Sequence, residues 1–321
     1  MILFPCMSRY LAPLALFLLP AVSVELLTGN TSLAIFRDPP TFIIVNITYG
    51  GALLLVRETV IRWGQGFASV VVLAAAFGPV TEGIGTKGFF NPHFYAVASN
   101  HLEGFGRWFG INVPWAVSIS IFHAIFSILV PLVIVSAIFP GLERRRWIGN
   151  RIYCALIVAF VAVIALSHQV LSTKIWHYRY DEGPGPIALV AAFIALDILI
   201  AWKLPASRSR RWQLQPPALT LFVAGAVYVF AYVFSTPILH ATGQPVAFVA
   251  VDLGFFVVLP VWLLCKLPEP SSRGKVALAA GLLVPLLTIA RGRGPGSLFA
   301  AIIVTAMIII ALIRSRSPNR I

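Results

Sequence analysis

The sequence predicts an all-α, polytopic membrane protein of about ten transmembrane helices, with both termini on the cytoplasmic side. Three observations predict it. Of 321 residues, 59% are hydrophobic and only 11% charged, too few charges to cover the surface of a soluble domain of this length. Apolar runs of about 20 residues recur along the whole chain, each long enough to cross roughly 30 Å of hydrocarbon. The lysines and arginines gather in alternate connections, the pattern that holds membrane topology. The net charge of +13 therefore reads as topology rather than nucleic-acid binding, and the expected surroundings are a lipid bilayer, taken to be the cell membrane.

Ten apolar segments follow in order: 10–28, 41–61, 66–86, 114–139, 151–172, 187–203, 217–238, 246–265, 276–290 and 296–313. The first follows Arg9 and resembles a signal peptide up to Ala21-Val22-Ser23, but it is also long enough to span and is read as a retained helix. Turn-formers separate the others: Asp38-Pro39-Pro40, Gly183-Pro184-Gly185-Pro186, Gln215-Pro216-Pro217, Pro268-Glu269-Pro270 and Gly292 to Gly296. The ninth is short and reads either as a crossing or as half of a re-entrant hairpin with the tenth. No soluble domain is expected, so residues 1–321 form a single transmembrane domain, and the longest polar connection is Asn91 to Pro114.

A cytoplasmic N-terminus places 17 of the 24 basic residues inside, among them Arg57, Arg62, Arg144, Arg145 and Arg146. Seven then lie outside, including Lys87, Arg107 and the discordant pair Arg291 and Arg293. Cys6, Cys154 and Cys265 are far apart and show no metal-ligand spacing, so neither a disulfide framework nor a zinc site is expected, and no cofactor is.

With that topology, the ionisable groups fall toward the outer face. Glu82 lies near the outer end of the third segment and Asp252 in the outer third of the eighth, while Asn46 and Tyr49 add polarity to the second. His123 sits about ten residues into the fourth segment, and His168 and His240 at outer helix ends. Such side chains are costly in hydrocarbon and are expected to face a bundle interior or a wet cavity. Ser120, His123 and Ser127 share a helical face, as do Glu82 with Thr86 and His168 with Ser172. Gly78 and Gly85 flank Glu82 and allow close approach of a neighbour, and Pro79 predicts a kink just before it. Glu58 and Arg62 read as a surface ion pair, and Tyr228, Tyr232 and Ser235 as a packing stripe.

Two stretches resemble the CAAX-protease and bacteriocin-processing family of intramembrane proteases, over residues 65–175. Glu82-Gly83-Ile84-Gly85-Thr86-Lys87-Gly88-Phe89-Phe90 is similar to its first motif, with Gly83 in place of a second glutamate and Lys87 in place of arginine. The helix from Trp115 to Phe122-His123 is similar to its second, with Ile119 in the Phe position. His168-Gln-Val-Leu-Ser172 stands where its third motif would, with Ser172 in the Asn position. The resemblance implies a protease-like core whose catalytic residues are Glu82, His123 and His168. Glu82 would activate water toward a peptide bond, with His123 orienting the water or stabilising the oxyanion, on a membrane peptide or lipid-like substrate. Read without the resemblance, the same residues fit a transporter or small-ligand-binding protein with an outward polar cavity, or a structural subunit of a membrane complex.

Overall fold

The computed structural model describes residues 3–142, 144–170, 180, 182–204, 216–266 and 270–315. Its order is α1 (Leu3–Ala21), α2 (Leu33–Phe36), α3 (Pro39–Asn46), α4 (Ala52–Trp63), α5 (Phe67–Gly78), α6 (Tyr95–Ser99), a two-residue hairpin of β1 (Arg107–Trp108) and β2 (Ile111–Asn112), then α7 (Val113–His123) and α8 (Val130–Ile138). Next come α9 (Asn150–Leu166), α10 (Pro184–Lys203), α11 (Ala218–Ala241), α12 (Pro245–Leu253), α13 (Leu259–Lys266), α14 (Ser272–Ile289) and α15 (Pro295–Arg314). Among the described residues, nine helices are long and apolar enough to cross a membrane, and a shorter apolar helix, Tyr10–Leu26, makes the tenth of the predicted segments. The ninth, Ser272–Ile289, is an 18-residue helix, long and apolar enough to cross.

Local chemistry sets the helix starts. Pro39 and Pro40 occupy the first turn of α3, where a missing N–H costs nothing, and Asp38 caps it by accepting from Thr41 N at 3.1 Å. Asn112 does the same for α7, accepting from Trp115 N at 3.0 Å ahead of Pro114. Gly64, at φ 69°, closes α4 in the left-handed conformation that ends helices.

Among the described residues, six apolar helices are not regular α-helices. Each takes on π-geometry, with hydrogen bonds five residues apart: Val22–Leu26 after α1, Ile47–Gly51 between α3 and α4, Pro79–Gly85 after α5, Ala124–Leu129 between α7 and α8, 167–170 after α9, and Gly254–Val258 between α12 and α13. Leu27 N to Val22 O, at 3.0 Å, and Thr86 N to Thr81 O, at 2.8 Å, are examples. The kink expected from Pro79 is thus a π-turn that keeps the helix running to Gly85.

The core lies between α1, α4, α5, α8, α14 and α15, where Leu16, Leu53, Ala74, Ile128, Leu283 and Val304 are buried. Small residues let the backbones touch. A Cβ built on Gly50 would lie 1.7 Å from Phe17 O on α1, and one on Gly281 of α14 would lie 2.0 Å from Phe222 O on α11. The Asn91–Asn112 connection folds over one end of the bundle, which we call the hairpin end. Phe94, Val97 and Leu102 are buried beneath it, while Phe109 at the hairpin tip is 87% exposed.

At the opposite end, Glu58 corrects an expectation. It pairs with Arg62 as its spacing predicts, but it is fully buried and not on the surface. It also lies 2.5 Å from Arg57 Nη1 and accepts from Trp147 N at 2.8 Å. Arg57 stacks 3.6 Å over the Trp147 ring and donates to Leu142 O and Arg145 O, so the basic connection after α8 is clamped onto α4.

Candidate functional site

Glu82 stands in the π-turn Pro79–Gly85, near the hairpin end. Thr86 Oγ1 donates to its Oε2 at 3.1 Å, the contact expected from their spacing of four. Gly88 lies against the same oxygen, which a Cβ there would approach to 3.0 Å. Gly78 allows close approach as expected, and the neighbour it admits is α7: its Cβ would meet Ser120 Cα at 2.6 Å.

That approach brings His123 to Glu82. The imidazole Nε2 lies 3.4 Å from Glu82 Oε1, and Nδ1 lies 3.0 Å from Ser127 Oγ across the π-turn that follows. His123 is only 2% exposed, and its Nε2 has no hydrogen-bond partner among the described residues. Its ring is walled by Tyr49, Phe77 and Phe122, with centroids 5.5 to 5.9 Å away. Ser120 shares the predicted face but turns its hydroxyl back to Ala116 O at 2.6 Å.

His168 does not join them. Its Nδ1 donates to Ile84 O at 2.6 Å and its Nε2 lies 3.6 Å from Glu182 Oε1. Glu182 Oε2 is 3.0 Å from Lys87 Nζ, so Lys87 pairs with Glu182 and not with Glu82. This second polar group meets the chain at Ile84 O and Lys87. Ser172 and most of the 176–181 loop lie outside the described residues.

Two residues unmarked by the motif reading complete the first group. Glu25, in the π-turn after α1, is 5% exposed and accepts from Asn30 Nδ2 at 2.8 Å and Thr31 Oγ1 at 2.5 Å. Tyr95, on α6, donates to Asn30 Oδ1 at 2.7 Å. The phenols of Tyr49 and Tyr95 each lie within electrostatic reach of both Glu25 and Glu82. Burial, then the Glu82 and Glu25 carboxylates, push the Tyr95 phenol up, which keeps it a hydrogen-bond donor. Glu25 was findable as the only acid before Asp38, and it sits at the end of an apolar run.

Glu25, Tyr49, Glu82 and Ser127 all lie in π-turns, with His123 immediately before one. A π-turn carries one extra residue and frees backbone groups, and such turns are frequent at functional sites. Asn46, by contrast, donates to Phe42 O on its own helix at 2.8 Å. Away from the cluster, Asp252 is fully buried with no partner for either oxygen among the described residues. Tyr232 bonds Ser118 O at 2.6 Å and Tyr228 bonds Phe256 O at 2.7 Å, so the expected packing stripe also ties α11 to α7 and to the turn after α12.

Comparison with known proteins corrects the protease resemblance. The family model that matches spans residues 14–317 and is not that of the CAAX-protease and bacteriocin-processing family. Matching most of the chain, it outweighs three incomplete motifs within 65–175, whose residues the structure divides between two polar groups. No curated protein and no solved structure matches the chain. By its match over residues 14–317, the chain belongs to a family described as an uncharacterized membrane protein family.

Proposed function

We propose that this integral membrane protein is a ligand-binding protein of the transporter kind, with its binding site at the Glu25–Tyr49–Glu82–His123 cluster. One observation carries the reading: four separate crossings distort into π-geometry where they contribute these polar groups. A bundle that needed only stability would bury apolar side chains there, since an ionisable group in the membrane is expensive to hold. Broken helices with exposed backbone polar groups near a polar site are a recurring arrangement in membrane transporters. The distribution of basic residues supports an outward-facing site.

The test is binding by the purified protein in lipid nanodiscs. A panel of small cations, anions and neutral solutes is screened by thermal unfolding, with Glu82→Gln as the site control. The reading expects at least one compound to raise the melting temperature in wild type and lose that effect in the variant. If no class of compound shifts wild type, the reading is wrong.

A further inference from the structure

We infer that the ligand taken by this cluster is an organic cation, an ammonium carrying an apolar or aromatic group. This rests on the ligand-binding reading above and adds the sign and shape of the ligand. Glu25 and Glu82 both face the cluster, and among the described residues neither has a lysine or arginine partner. The nearest lysine in sequence, Lys87, is committed to Glu182. Two carboxyl groups stand against one imidazole, so the cluster holds more acid than base.

The second observation is independent of that charge count. His123 Nε2 is buried, aimed at Glu82, and without a hydrogen bond among the described residues. The 3.4 Å between Nε2 and Glu82 Oε1 is longer than an ordinary hydrogen bond. With Nδ1–H donated to Ser127, Nε2 would be an acceptor there, and an ammonium N–H would bond it together with Glu82. The walls favour an organic cation. Tyr49, Phe77 and Phe122 surround the imidazole, offering apolar area and π-faces that attract cations. Among the described residues, no three His, Cys, Asp or Glu side chains converge closely enough to hold a metal ion. Tyr95, 42% exposed, bonds Asn30, which in turn donates to Glu25.

The experiment compares two probes of matched shape and opposite charge, phenethylammonium and 3-phenylpropionate, on wild type in nanodiscs, with glucose as a neutral probe. Phenethylammonium should raise the melting temperature with concentration while the other two do not. Glu25→Gln and Glu82→Gln should each weaken its binding at least about tenfold, because each removes a unit charge from a low-dielectric site. A shift from 3-phenylpropionate or glucose that depends on Glu82 would leave the binding site standing and overturn the cation inference. So would the absence of any phenethylammonium shift, or a shift unchanged in both glutamine variants. The probe comparison on wild type decides the sign even if a variant fails to fold.

Discussion

Removing the Glu58 carboxylate should be among the most damaging single changes to stability. In Glu58→Ala, Arg57 and Arg62 lose the Glu58 carboxylate and Trp147 N loses its acceptor. Arg57 is nearly as buried as Glu58, and the carbonyls of Leu142 at 2.9 Å and Arg145 at 2.8 Å still accept from it. Breaking a buried ion pair from one side costs about 3–5 kcal/mol, because the surviving charge loses its counter-charge. The orphaned Trp147 amide adds about 1 kcal/mol at the low end of such penalties, giving about 4–6 kcal/mol in all. Glu58→Gln keeps an acceptor for Trp147 N and should lose less. The triple change Arg57→Met, Glu58→Met, Arg62→Met should recover most of the loss, since apolar replacement of a whole buried network is often neutral. Equilibrium unfolding in mixed micelles measures all three. A loss under about 1 kcal/mol for Glu58→Ala would show that the network does not hold the 139–149 connection.

Gly50→Ala should destabilise at or above the upper end of about 1–3 kcal/mol for overpacking. Its Cβ meets backbone at 1.7 Å, and α1 must move by about 1.6 Å to reach an ordinary carbon–oxygen contact near 3.3 Å. Because Tyr49 is next in the chain, ligand binding should weaken as well, which the nanodisc assay reads alongside the melting temperature. Tyr95→Phe removes the 2.7 Å bond to Asn30 and should cost no more than about 1 kcal/mol. Its sharper signature is pH dependence. The folded protein holds the Tyr95 proton more tightly than the unfolded chain, so this contribution is present below about pH 10 and lost as pH rises toward the higher folded value. Wild type should therefore lose stability over that alkaline range more steeply than Tyr95→Phe, and equal slopes would refute it.

Much of the fold was legible in the sequence because hydrocarbon imposes a length and a composition on every crossing. The ten segments were read from apolar length alone, and the basic connections after α4 and α8 stood out by charge. The π-turns were not legible, since each shifts helical phase by a residue without changing composition. Face assignments survived them unevenly. Glu82 with Thr86 and His123 with Ser127 came out as contacts, whereas Ser120 turned to its own backbone. Pairing His123 with Glu82 was readable from shared depth. The separation of His168 was not, because Glu182 reaches it from beyond a loop that depth arguments ignore. Glu58 was misread as a surface group because an i, i+4 pair looks alike on an exposed helix and under a folded connection.

The π-turn at Pro79–Gly85 also fixes the order of two neighbours around one axis. An α-helix advances about 100° per residue, so the extra residue in this turn rotates everything beyond it by that angle. Deleting one residue there would rewind a regular helix and swing Lys87 away from Glu182 while Glu82, at the turn's centre, moved less. The chain length of this single turn is therefore what lets one short segment meet two unlike polar groups, Glu82's and Glu182's.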